Sequence, residues 1–327
     1  EWLLVLLYHH LVCDHVTLEL MLSEVHASLH GRGETLPRPL PYRNFIAQVQ
    51  TISPAEHEQY FRSQLGDVEE PTAPFGVLDV HGDGGRVEEA RLALSDALAA
   101  RIREMARQAG VTPAVLFHTA WAQVLAHCSG REEVVFGTVL SGRLQGVEGA
   151  DRVLGMFINT LPIRIRLSGM SVQEAVREAY ASLSGLLEHE QAPLGLAQRC
   201  SGVPASMPLF TALLNYRHSR SSVPSKTEAA SDWEGMRSLL GEERTNYPLG
   251  ISVDDFGHAF ALTAQCAGGI DPARIARYLA TAVESLVEQL VNAPSSPMHQ
   301  VRMLPQAERT QLLEGFNATA VDYPHDG

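Results

Sequence analysis

The chain has 327 residues, 45% of them hydrophobic and 19% charged, with 25 Lys and Arg against 38 Asp and Glu. That length suits two domains of about 150 residues each, and the apolar fraction excludes disorder as the main state. A formal net charge of −13 excludes sequence-independent nucleic-acid binding, which needs Lys and Arg against phosphates, and no apolar run approaches the ~18 residues of a membrane span.

The chain opens on Glu1-Trp2-Leu3-Leu4-Val5-Leu6-Leu7-Tyr8. This run lacks the basic flank of a signal peptide and is predicted to be a buried strand. The spacing of Leu18, Met21, Leu22, Val25 and Leu29 predicts a helix over 16–29. Gly31 and Gly33 end it, before a loop containing Pro37, Pro39 and Pro41. Helices follow over 42–49 and 54–65, the second capped by Ser53 with Pro54 at its first position. Residues 66–85, with Gly82-Asp83-Gly84-Gly85, read as a crossing between two lobes.

Beyond the crossing, a strand is predicted at 87–94 and a helix from Ser95 to a stop at Gly110. A deeply buried helix starts at Thr112-Pro113. Strands follow at 133–140 and 159–167, the second alternating Leu161, Ile163, Ile165 and Leu167 against Arg164 and Arg166. An amphipathic helix over 171–190 precedes strands at 209–216, 249–253 and 259–266. A last helix, 271–292, is closed by Pro294. The elements do not alternate as in a doubly wound sheet, so the predicted class is α+β, a layered α/β sandwich. Cys13, Cys128, Cys200 and Cys266 are widely spaced and form no CxxC pair, which suggests neither a zinc site nor a disulfide framework. Four unpaired thiols fit a reducing cytoplasm, the expected location.

The densest cluster of reactive groups is His9-His10-Leu11-Val12-Cys13-Asp14-His15. Histidine suits proton transfer near neutral pH, and a nearby Asp fixes a ring or holds the loop. Two alternatives stay open. Asp14 is also a natural helix cap among ordinary polar residues, and a metal site is conceivable, although the spacing lacks an HExxH-like pair. Elsewhere, Asp255-Phe256-Gly257 reads as a hairpin turn rather than a kinase-type motif. His118 and His127 read as core or helix-end histidines, and His189 as a helix-end cation favoured by the dipole.

The strand followed by HHxxxD resembles the condensation domains of nonribosomal peptide synthetases, whose signature is HHxxxDG. Other segments match the family in order. They are Tyr42-Arg43-Asn44-Phe45, Val135 to Arg143, Gly155 to Pro162, His189-Glu190-Gln191-Ala192-Pro193, Leu213-Leu214-Asn215-Tyr216 and Thr245 to Leu249. The tail (Leu304-Pro305, Glu308-Arg309, Leu312-Leu313, Phe316 to Thr319, Tyr323-Pro324) resembles the connection into an adenylation domain.

The resemblance implies a chloramphenicol-acetyltransferase-like fold of two lobes in a V, with the motif loop at the tunnel between them. On that basis residues 1–65 end an N-terminal lobe that is mostly missing, 66–85 cross over, 86–303 form the C-terminal lobe, and 304–327 link into an adenylation domain. A fragment of this extent is expected to be inactive alone and to expose apolar surface. The family joins a donor acyl thioester to the amine of an acceptor aminoacyl thioester. Both are delivered on phosphopantetheine by upstream and downstream carrier domains, and the domain itself holds no cofactor or metal.

By position, His10 is the motif's second histidine and the expected catalytic one, beside His9, and Asp14 is its structural aspartate. Arg143 is the hypothesised salt-bridge partner of Asp14, and Asn215 lies on a strand near the tunnel. His15 stands where the family has Gly, a residue that permits positive φ or keeps the tunnel open. Epimerization domains share the motif, but the segment Val147 to Arg152 lacks their histidine. Heterocyclization domains replace the His pair. A non-catalytic docking domain that recruits tailoring enzymes is the alternative that His15 leaves open.

Overall fold

Capping residues set where the helices begin. In the computed structural model, which describes residues 3, 5–9, 11–49, 52–80, 87–143, 149, 152–218 and 245–319, helix α1 (His15–Leu29) starts at Asp14, whose carboxylate accepts from the Thr17 N–H. Helix α2 spans Arg43–Val49, and α3 (Pro54–Leu65) is capped by Ser53. After strand β1 (Glu88–Ala93), Ser95 caps α4 (Asp96–Ala109), and Gly110 ends it in the left-handed region at φ 67°. Helix α5 (Pro113–Ser129) leads to β2 (Glu133–Leu140) and β3 (Asn159–Arg166). A capping box of Ser171 and Glu174 opens α6 (Val172–Glu188). Then come α7 (Leu194–Arg199), β4 (Ala212–His218), β5 (Leu249–Asp255), β6 (Phe260–Cys266), α8 (Pro272–Asn292) and α9 (Gln306–Thr310).

Among the described residues the strands form one six-stranded sheet in the order β1-β6-β5-β4-β2-β3. Its centre is parallel, β2 beside β4 beside β5, and its flanks are antiparallel. Helix α8 covers β1 and β6, α5 covers β2 and β4, and α6 covers β3, while α4 packs outside on α5 and α8. The α+β layered class expected from the sequence is what the chain adopts. Residues 255–257 make the β5–β6 turn, where the Phe256 N–H donates to the Ala259 carbonyl.

Two expectations are corrected. The apolar opening is not a strand where it is described: Leu3, Val5 and Leu7 are 72%, 68% and 89% exposed, because no strand among the described residues lies alongside to pair with it. Arg164, placed by the sequence alternation on the polar face of β3, is buried. Its guanidinium bonds the Gln64 carbonyl, Asp67 and Glu133, so the end of α3 covers the face of β3 opposite its apolar residues. The Gly82-Asp83-Gly84-Gly85 stretch lies outside the described residues, as does most of Val147 to Arg152.

Helix α5 runs through the core, with Leu116, Phe117, Trp121 and Leu125 fully buried. Its His118 is a core histidine, as the sequence suggested. Nδ1 bonds the Ala114 carbonyl at 2.7 Å, so it carries the proton, and Nε2 accepts from the Thr138 hydroxyl at 2.8 Å. His127 sits exposed near the helix end, its Nδ1 on the Gln123 carbonyl. Burial lowers the pKa of His118 from 6.5 to about 4. As pH falls, the unfolded chain takes up this proton first. The stabilisation from a neutral His118 is therefore full above pH ~6.5 and drains away towards pH ~4, a loss of about 3 kcal/mol. Urea unfolding of His118→Gln is expected to show a shallower fall in midpoint between pH 7 and 4.5 than the wild type; equal slopes would refute the assignment.

Candidate active site

The motif loop is tied down at its aspartate. Asp14 is fully buried at the N-terminus of α1. Its Oδ1 accepts from the Thr17 N–H at 2.8 Å, and its Oδ2 accepts from the Phe157 N–H at 3.2 Å. Arg143 Nη2 donates to both oxygens, at 3.0 and 3.1 Å. Burial alone would raise the pKa of Asp14, but the Thr17 N–H and the Arg143 guanidinium outweigh it and hold the carboxyl below the usual range. The structure thus joins two of the sequence-derived site residues, one from the helix start and one from just beyond β2.

Arg143 is fixed on its other sides too. Nη1 donates to the Val153 carbonyl at 2.9 Å, and Nη2 also reaches the Thr17 hydroxyl at 3.1 Å. The guanidinium carbon stands 3.9 Å over the centre of the Phe157 ring, a cation–π arrangement. Phe157 packs on Phe45 and edge-on to Tyr42, with ring centres 4.3 and 5.2 Å apart, and the Tyr42 hydroxyl donates to the Met156 carbonyl. Tyr42 and Phe45 come from the Tyr42-Arg43-Asn44-Phe45 segment, so that segment serves as the apolar backing of the 153–157 loop.

Two glycines allow this close approach. Gly142 has φ 66°, and a Cβ there would meet the Phe157 carbonyl oxygen at 1.9 Å. At Gly155 a Cβ would strike the Tyr42 ring at 2.3 Å. Either added carbon would push the 155–157 backbone away from Asp14.

The other named residues sit around this knot. His9 is exposed, and its Nδ1 accepts from the Leu11 N–H at 3.0 Å, which leaves Nε2 as the nitrogen bearing the proton. His10 lies outside the described residues. His15, half-buried, is the first residue of α1, and among the described residues Phe75 is the one non-glycine with positive φ. The backbone reason offered for Gly at position 15 therefore does not hold in this chain, where a helical conformation suits His. Asn215 is half-buried on β4, paired in register with Val139 of β2 and Ser252 of β5. It is one strand over from the strand that leads to Arg143, and among the described residues no hydrogen bond joins it to Asp14 or Arg143.

His189, read as a helix-end cation, instead sits where its charged form is disfavoured. Its Nδ1 lies 2.9 Å from Nδ1 of the buried His57, and its ring stacks on Tyr60 at 4.1 Å. Burial comes first among the causes that lower the pKa of both rings, and for His57 the neighbouring His189 adds to it. Cys13, next to Asp14, is buried, and its thiol is pushed up by burial and then by the Asp14 charge. It is a poor nucleophile. Among the described residues no three His, Cys, Asp or Glu side chains converge as metal ligands. No helix among them is long and apolar enough to cross a membrane.

One participant escaped the sequence reading. Thr17, 2% exposed, accepts from the Gly155 N–H at 3.0 Å and donates to the Gly155 carbonyl at 2.7 Å. The available signal was a Thr three residues after the capping Asp, a β-branched residue in a helix first turn where a better helix former would serve.

Comparison with known proteins bears on this arrangement. A family model described as "Condensation domain" matches residues 1–313. Malpibaldin synthetase of Mortierella alpina is 47% identical over 334 residues, covering 99% of this chain and 6% of that protein. Malpinin synthetase of the same organism is 46% identical over 325 residues, covering 99% and 4%. The chain therefore spans a small part of these relatives. Among solved structures, the first condensation domain of the CDA synthetase superposes with a TM-score of 0.71 at 19% identity, covering 91% of this chain and 66% of that one. The X-domain from teicoplanin biosynthesis gives 0.71 at 18% identity, covering 90% and 70%. At such identities the likeness shows the fold, and with the match along nearly the whole chain it leads to one conclusion: this chain belongs to the condensation-domain family.

Proposed function

We propose that the chain catalyses amide-bond formation between a donor acyl or peptidyl thioester and the amine of an acceptor aminoacyl thioester, as part of a longer nonribosomal peptide synthetase. The observation that carries this reading is the buried Asp14–Arg143 pair, which fixes the C-terminal end of the His9–Asp14 loop against the 153–157 loop. Two relatives that match along almost all of the chain are themselves named as synthetases, which supports the same setting here. In this reading residues 1–65 belong with the lobe that carries the motif, 66–85 cross over, 86–303 form the second lobe, and 304–327 lead towards an adenylation domain in cis. Carrier domains upstream and downstream present both substrates on phosphopantetheine, and the domain needs no cofactor of its own.

The chemistry asks little of the protein beyond alignment. An α-ammonium titrates near ~8, so a useful fraction of the acceptor is already neutral at pH 7. Its nitrogen attacks the donor carbonyl, a tetrahedral intermediate forms, and the C–S bond breaks. The amide stays on the acceptor carrier, and the proton lost by nitrogen ends on the departing thiolate. Holding two tethered groups in line supplies much of the acceleration. His10 acts at the nitrogen's proton or at the oxygen of the intermediate. Asp14 does not touch the reactants; it fixes the loop that bears the imidazole.

Reconstitution with a carrier-bound donor and acceptor tests the reading. His10→Ala in the intact synthetase is expected to lower amide formation at least ~10²-fold, and a rate near wild type would remove His10 from the mechanism. Substrates that bind without turnover in the wild type would favour the docking alternative, and a product epimerised at Cα without a new amide would favour epimerization. Asp14→Asn is expected to cost about 3–5 kcal/mol of stability, because the Arg143 charge stays buried without its anion. Urea unfolding checks this, and a loss under ~1 kcal/mol would show the pair to be dispensable.

A further inference from the structure

We infer that Thr17 is a positioning residue for the reaction, a role that rests on the reading above and extends it beyond the motif histidines and Asp14. A hydroxyl has one proton to give and two lone pairs to fill, and Thr17 uses all three. Its proton goes to the Gly155 carbonyl at 2.7 Å, and its lone pairs take the Gly155 N–H at 3.0 Å and Arg143 Nη2 at 3.1 Å. The backbone N–H of the same residue donates to Asp14 at 2.8 Å. One buried residue thus meets Asp14 through its backbone N–H, and Arg143 and the 153–157 loop through its hydroxyl.

The direction of that hydroxyl is the telling feature. In a helix, Thr commonly turns its oxygen back to a carbonyl one turn earlier, as Thr119 does here with Val115. Thr17 sits in the first turn and reaches across to a segment 138 residues away. It sets the distance between the start of α1 and Gly155. Asp14 and Arg143 alone define an attraction; Thr17, bonded to both N–H and C=O of one residue, defines a register. With the hydroxyl gone, Gly155 loses the partner of both its backbone groups, and the Asp14 end of the loop is free to shift against Phe157. A misplacement of about 1 Å at a reacting centre costs on the order of 10²-fold in rate.

Thr17→Val keeps the shape and removes the hydroxyl, and Thr17→Ser keeps the hydroxyl. In the intact synthetase with carrier-bound donor and acceptor, Thr17→Val is expected to lower kcat about 10- to 100-fold with KM for the acceptor within about 3-fold. Thr17→Ser is expected to stay within about 3-fold of wild type on both. Ala282→Gly, in the buried face of α8, serves as a control for general loss of stability, measured by thermal unfolding. Wild-type kcat in Thr17→Val overturns the proposal. So does a Ser variant as slow as the Val variant, or an equal loss in Ala282→Gly. Should the wild type form no amide at all, the proposed reaction fails, and amide hydrogen exchange decides the positioning separately. The Gly155 and Phe157 amides are expected to exchange faster in Thr17→Val than in Thr17→Ser; equal protection in both overturns it.

Discussion

A fully buried carboxylate needs a complete set of partners, and meeting that need at Asp14 shapes this end of the molecule. An unpaired charge there would carry a desolvation penalty of several kcal/mol. Four hydrogen bonds from three donors meet it instead: one each from the backbone N–H groups of Thr17 and Phe157, and two from Arg143 Nη2. Each of those donors is itself fixed. Thr17 is in the first turn of α1, Phe157 is backed by Tyr42 and Phe45, and Arg143 is held by Val153 and lies over the Phe157 ring. The polar knot and the small apolar cluster of Phe45, Val153 and Phe157 are one device. The first supplies direction and the second keeps water away from it.

This division of labour separates the candidate site from the rest of the fold. The main core, with Trp121, Phe117, Phe136 and Leu161 fully buried between the sheet and its helices, is an ordinary apolar interior whose stability tolerates changes of shape within limits. The knot at Asp14 is less forgiving at its charged and glycine positions. Lys at position 143 would lose the planar fork that spans both Asp14 oxygens and the Val153 carbonyl, and any Cβ at 142 would collide with a backbone oxygen. The candidate site therefore rests on the less forgiving of the two clusters.

Much of this was legible in the sequence, for reasons that differ from element to element. Helix starts at Ser53 and Ser95 carried their caps in view, and each side chain accepts from the helix it opens. The strand at 133–140 was marked by its β-branched residues. The opening run was not legible as coil, because an apolar stretch states a preference for burial but not the presence of a neighbouring strand. Arg164 misled for a related reason: strict alternation assigns one face to solvent, whereas here the segment after α3 covers it with Asp67. At the site, Asp14 and Arg143 stood out as charges in matching segments. Thr17 did not, since its partners are the backbone groups of Gly155, and a carbonyl has no letter in a sequence. The pairing of His189 with His57 was hidden for the same kind of reason, being set by the docking of α3 beside the end of α6.

The knot also has a place in time. Asp14 and Arg143 lie 129 residues apart, and a ribosome adding about 5–20 residues per second needs on the order of ten seconds to cover that gap. Throughout that interval the carboxylate sits in water, while Leu18 of α1 lacks Leu154 and Gly155, with which it lines a pocket in the folded chain. The carboxylate of Asp14 thus finds its buried place only after the far-off arginine has been made.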